Sequence, residues 1–190
     1  MASIAPLLTR KRVILVSTEA SKGTITTPAT AILASGLEIN PTAPFEERPG
    51  GLYRGDTFPG VIGEKSGVCK FDAELRCNGS AGIDPGIAIL LQACGFFKTA
   101  EAYNTISVPA TDTTISIYVY EDGVRKGLIG SAGKVVFESA AGQRVICHFE
   151  FFGVWQTVAD IALPAFAPSA LQPLKMDGGT FTLGGVVMRI

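Results

Sequence analysis

Between Thr113 and Trp155 the chain alternates apolar and polar residues in segments separated by short, glycine-bearing stretches. Ile115, Ile117 and Val119 interleave with Ser116, Tyr118 and Tyr120. Successive side chains of a strand point to opposite faces, so a period of two marks a half-buried strand rather than a helix. Glu121-Asp122-Gly123-Val124 carries the Asp-Gly pair of a tight hairpin. The chain then returns over Val124–Ile129. A second turn is expected at Gly130-Ser131-Ala132-Gly133, a strand over Lys134–Glu138, and a third turn at Ala140-Ala141-Gly142-Gln143. Arg144–Trp155 is the longest strand. Val145, Cys147, Phe149 and Phe151 share one of its faces, and Ile146, His148, Glu150 and Phe152 share the other. Four strands, short turns and one apolar face commit the chain to a mainly β fold.

The remaining segments fit around that meander. Residues 11–16 and Ile32–Ile39 are strand candidates, separated by a polar, turn-rich stretch from Ser17 to Thr24 that cannot pack a core. Val68 to Cys77 alternates, with Val68, Lys70, Asp72, Glu74 and Arg76 on one face and Cys69, Phe71, Ala73, Leu75 and Cys77 on the other. Residues 40–67, rich in proline, glycine and charge, form a long inter-strand loop with no helical or strand period. A loop of that length is unusual in a compact domain and is often functional. One short helix is predicted at about 85–94. Asp84 caps it, Pro85 opens it and Gly95 ends it. It carries no internal charge, so either its own sheet or a neighbouring subunit must cover most of its sides. Three prolines between Asp160 and Pro173 predict an extended segment. A final strand over 179–190 stops while still apolar. The expected division is therefore a β domain over 1–160 and an extended part over 161–190. That second part either docks on another chain or begins a further, truncated portion.

Composition removes most chemistry. The 190 residues include 16 Lys+Arg, 17 Asp+Glu and one histidine, His148. A net charge of −1 excludes a polybasic nucleic-acid binder driven by counterion release. Nucleophilic catalysis needs a base beside its nucleophile, and Cys147 and His148 are adjacent on a strand, hence on opposite faces. A multi-histidine metal site is impossible. The four cysteines lack CxxC spacing, and Cys69 and Cys77 would stand roughly 26 Å apart on one extended strand. Free thiols in a reducing compartment are expected. Gly79-Ser80-Ala81-Gly82 lacks the Gly-Lys-Ser/Thr ending of a phosphate loop. Glu46 and Glu47, next to Arg48, are solvated loop charges or part of a charged contact arm. No catalytic residue, metal or cofactor is expected, and no run is apolar enough for a membrane anchor.

The order of these segments resembles the major tail tube protein of long-tailed, siphovirus-like bacteriophages. The likeness runs through Glu19-Ala-Ser-Lys-Gly-Thr, Leu37-Glu-Ile-Asn-Pro41, Glu46-Glu-Arg48, the Val68–Arg76 strand and Asn78-Gly-Ser-Ala-Gly82. It continues through Leu91-Gln-Ala-Cys-Gly-Phe96, Ile117-Tyr-Val-Tyr-Glu-Asp-Gly123, Gly130-Ser-Ala-Gly-Lys134 and Phe149-Glu-Phe-Phe-Gly153. The resemblance implies a tail-tube-type β-sandwich or half-barrel with one short flanking helix. It implies a homo-oligomer of stacked, hexameric rings within a virion, assembled in host cytoplasm. The tape measure protein and DNA would pass through the lumen without specific binding, and other tail proteins would sit at the tube ends. Inter-subunit contacts would fall on Glu46, Glu47, Arg48, Arg54 and Asp56. The lumen would be faced by Lys70, Asp72, Glu74, Arg76, His148 and Glu150. Other readings are a minor ring, a secretion-type tube subunit, or a small β-barrel binding module.

Overall fold

The computed structural model describes residues 12–48, 59–80, 82–99, 102–105, 113–165, 172–176, 180–183 and 186–189. In chain order the first elements are β1 (Arg12–Thr18), β2 (Thr30–Ile32), β3 (Ala34–Thr42), β4 (Phe45–Glu46), β5 (Val61–Ile62), β6 (Ser66–Glu74) and α1 (Pro85–Ala93). Then follow β7 (Phe96–Thr99), β8 (Ala102–Thr105), β9 (Ile115–Glu121), β10 (Val124–Glu138), β11 (Ile146–Trp155), β12 (Ala159–Asp160), β13 (Thr180–Leu183) and β14 (Val186–Arg189). The fold is mainly β, as its alternation requires.

One sheet carries the domain, in the order β2-β1-β9-β10-β11-β6-β3, with β12 beside β10. β2 and β3 are its two edges, yet only Leu33 separates them in the chain. Consecutive Cα atoms are 3.8 Å apart, so the edges approach within about 8 Å at this point. A flat sheet of seven strands cannot bring its edges together, so the sheet curls into a half-barrel. The expected single strand over Ile32–Ile39 is therefore two strands, divided where the chain passes from one edge to the other.

The curl encloses one apolar cluster. Val16, Ile117, Leu128, Phe71, Phe149 and Phe151 come from the sheet, and Ile87, Leu90 and Leu91 from α1. Phe149 and Phe151 stack at 5.8 Å, and Phe71 lies 5.5 and 6.0 Å from them. The helix touches β1, β2, β9 and β10. Its Gly86, Ile87, Leu90, Leu91 and Ala93 are all buried, so the chain's own sheet supplies most of the cover. Asp84 accepts hydrogen bonds from the Gly86 and Ile87 amides at 2.8 and 3.4 Å. Asp84→Ala should lower unfolding stability by about 1 kcal/mol, and Asp84→Ser by much less. Urea denaturation of the two variants checks this.

The meander departs from expectation at one point. Asp122 and Gly123 have φ of 42° and 97°, the paired positive values that a two-residue hairpin needs. Gly130-Ser131-Ala132-Gly133, however, is not a turn. β10 continues through it as a 15-residue strand with a bulge between Ile129 and Ala132, seen from both neighbouring strands. The two glycines serve other ends: Gly130 supplies a φ of 60° at the bulge, and a Cβ on Gly133 would collide with the Glu150 carbonyl oxygen. Three strands thus replace the expected four.

Other departures are local. The 40–67 loop contains a small ladder, Phe45 with Ile62 and Glu46 with Val61, extending the β3–β6 pair beyond Thr42 and Ser66. The terminal strand over 179–190 is a hairpin of β13 and β14, and β7 with β8 forms another. Within 172–176, Leu174 donates to the Leu75 carbonyl and accepts from the Val145 amide. The stretch after β1, read as polar, turn-rich and unable to pack a core, contributes a buried residue. Glu19 lies against the outer side of β9 and accepts from Gly23 N–H, Thr114 and Ser116 hydroxyls and Gly130 N–H at 2.7–2.8 Å. With Thr26 N–H donating to the Ser116 hydroxyl, this stretch covers part of the sheet that alternation alone would leave wet.

Candidate functional site

The register of three strands gathers the charged residues of the outer face. β11 lies between β6 and β10. Lys70 stands opposite Glu150 and Asp72 opposite His148, while Lys134 faces Glu150 and Val136 faces His148 from the other side. Alternate residues share a face, so one side of these strands carries a ladder of three ionic rows.

In the first row Glu150 lies between Lys70 at 2.9 Å and Lys134 at 2.7 Å. In the second, His148 lies between Asp72, 2.6 Å from Nδ1, and Glu138, 2.9 Å from Nε2. In the third, Glu74 lies between Arg76 and Arg144, each at 2.6 Å. Glu150 and Glu74 are each flanked by two cations and His148 by two carboxylates, so the sign of the centre alternates from row to row when the imidazole is protonated. Hydrogen bonds from Lys134 and Lys70 hold the Glu150 carboxyl below its ordinary range. The bond to Glu150 holds the Lys70 ammonium above its own. Arg76, aided by Arg144, holds Glu74 down against the effect of burial. Asp72, then Glu138, holds the His148 imidazole up. Exposed pairs of this kind stabilise little individually. Their effect is to cancel charge locally. A hollow of about 200 Å³ opens over the second row, lined by Gly36, Lys70, Asp72, Lys134, Val136 and His148.

All six residues singled out for this face, Lys70, Asp72, Glu74, Arg76, His148 and Glu150, fall into the three rows. Lys134, Glu138 and Arg144 were missed. Lys134, Val136 and Glu138 show the same period of two, and that was the signal available. Glu46 lies on β4, with Glu47 and Arg48 just beyond it and exposed. Arg54 and Asp56 lie outside the described residues. The arm formed by β4 and β5 presents apolar surface as well as charge: Phe45 is 63% and Ile62 64% exposed.

The four cysteines are free thiols. Burial pushes Cys69 and Cys94 up to about 12 and Cys147 to about 11, so they are poor nucleophiles. Among the described residues, no cluster of three or more His, Cys, Asp or Glu is arranged to hold a metal ion. No described helix is long and apolar enough to cross a membrane.

No family model matches the chain, and no curated protein matches it. Among solved structures, it is similar to a chain of the six-fold symmetrised anti-feeding prophage baseplate. The TM-score is 0.47 and the identity 8%, over 86% of this chain and all of the other. It is also similar to a chain of the anti-feeding prophage cap that terminates the tube, with a TM-score of 0.38 and 14% identity over 84% of this chain and 95% of the other.

Proposed function

We propose that the chain is a non-enzymatic structural subunit of a phage-tail-like particle, self-assembling into stacked, hexameric rings that form a tube. The observation that carries this reading is the charge-cancelled face. A wall along which a polyanion slides must not release counterions by gripping phosphates, since that release drives non-specific binding. A face whose lysines and arginines are already engaged by carboxylates meets that requirement. In this reading Lys70, Asp72, Glu74, Arg76, His148 and Glu150 line the lumen, through which the tape measure protein and then DNA pass without specific contacts.

The arm supports the assembly half of the proposal. Contiguous exposed apolar surface marks protein contact sites, and an isolated two-stranded hairpin is marginal in water. Phe45, Val61 and Ile62 would gain cover on a neighbouring copy, with Glu46, Glu47, Arg48, Arg54 and Asp56 supplying polar contacts at the rim. Other tail proteins would meet the rings at the tube ends. The particle is the site of action, and assembly precedes it in the host cytoplasm.

The purified full chain, at tens of micromolar, is expected to show rings or tubes by negative-stain microscopy and a heavy boundary by sedimentation velocity. A single monomeric boundary at that concentration, with no ring in the images, would overturn the proposal.

A further inference from the structure

His148 is the chain's one histidine, and both of its ring nitrogens meet carboxylate oxygens. Nδ1 lies 2.6 Å from Asp72 and Nε2 2.9 Å from Glu138. A neutral imidazole has one N–H and one lone pair, whereas imidazolium donates from both nitrogens. A neutral ring here would bond one carboxylate and turn its lone pair toward the other. Only the doubly protonated ring satisfies both contacts. The partners also come from different strands, Asp72 from β6 and Glu138 from β10, with His148 on β11 between them.

The surrounding charges are otherwise engaged. On β6, Lys70 bonds Glu150, and Glu74 is held by Arg76 and Arg144. On β10, Lys134 bonds the other oxygen of Glu150. On β3, Glu38 stands opposite Lys70. With His148 protonated, five cations (Lys70, Arg76, Lys134, Arg144 and His148) face five carboxylates (Glu38, Asp72, Glu74, Glu138 and Glu150).

We propose that His148 is a pH-operated clip across β6, β11 and β10. Protonated, it ties Asp72 to Glu138 and leaves the face neutral. Deprotonated, it releases one carboxylate and leaves the face with one net negative charge. The hydrogen bonds to Asp72 and Glu138 raise the imidazole's pKa in the folded chain, against a smaller opposing effect of burial. A raised folded value means that the stabilisation is complete below the ordinary histidine value near ~6.5 and is lost as pH rises through the folded value. The clip belongs to the single subunit and stands whether or not rings form. If they do form as proposed above, each subunit adds one negative charge to the lumen on release.

A single histidine permits a direct test. With 13C-labelled histidine, the full chain shows one imidazole resonance, whose titration midpoint should lie above about 6.5. Asp72→Asn and Glu138→Gln should each lower the midpoint, and the double variant should return it to about the ordinary value. A wild-type midpoint at or below about 6.5, or one that Asp72→Asn leaves in place, would overturn the proposal. Thermal unfolding followed by Trp155 fluorescence reads the same device in an assembled sample. Between pH 6 and pH 9 the wild type should lose more in Tm than His148→Gln, by no more than about 2–4 °C for pairs this exposed in a chain of this size. Equal losses in the two proteins would count equally against the clip.

Discussion

Glu19→Ala is expected to cost about 3 kcal/mol of unfolding stability. The substitution strands two hydroxyls and two backbone N–H groups that now share one carboxylate, and an unpaired buried donor costs about 1–3 kcal/mol. Local reorganisation and water recover part of the total. Glu19→Gln keeps one oxygen acceptor and should cost roughly half as much. Burial on its own raises this carboxyl, but donors from Gly130, Thr114, Ser116 and Gly23 outweigh it and hold the group below its ordinary value. The stabilisation is therefore present above the ordinary glutamate value near ~4.3 and is lost as pH falls through the depressed folded value. Urea denaturation between pH 3 and pH 7 should show a steeper acid loss in the wild type than in Glu19→Ala. Parallel curves would show that the stretch after β1 is held by something other than the carboxylate.

Phe151→Ala should be more damaging still, at about 3–5 kcal/mol. The ring is fully buried and packs on both Phe71 and Phe149. Domains are stable by only about 5–15 kcal/mol, so this variant should be recovered poorly or unfold at low urea. Phe152→Ala, one residue along the same strand at a side chain 50% exposed, should change stability by less than about 1 kcal/mol. Urea midpoints of the pair test the face assignment. Similar losses at both positions would mean that Phe152 is also covered.

The features legible in the sequence are those written in adjacent residues. Val68 to Cys77 and Arg144 to Trp155 announce their faces by alternation, and Asp84-Pro85 announces the helix that fills the curl. The charged face was legible strand by strand for the same reason. Lys134 and Glu138 carry the same alternation and were overlooked, but how they and Arg144 pair was not legible, because which charge meets which is decided by register between strands. His148 and Asp72, for example, are 76 residues apart. The buried role of Glu19 was not legible because two of its donors, Ser116 and Gly130, lie 97 and 111 residues away. The glycines of 130–133 were misread for a different reason. Glycine marks a turn and a tightly approached strand equally well, and only the partner strand distinguishes them. The charged arm was noticed, but the β4–β5 pairing within it was not, because two-residue pairings leave no period to detect.

The joint at Leu33 bears on how the chain reaches this state. β9, β10 and β11 are consecutive and zip through short connections, at small cost in loop-closure entropy. β1 must instead find β9, and β6 must find β11, across long stretches of chain. Because β2 and β3 share a one-residue linker, neither distant pairing can be completed while the other edge wanders freely. The two closures are coupled, so the final step of folding should be all-or-none. Its rate should fall in the millisecond-to-second range of sheets dominated by non-local pairing.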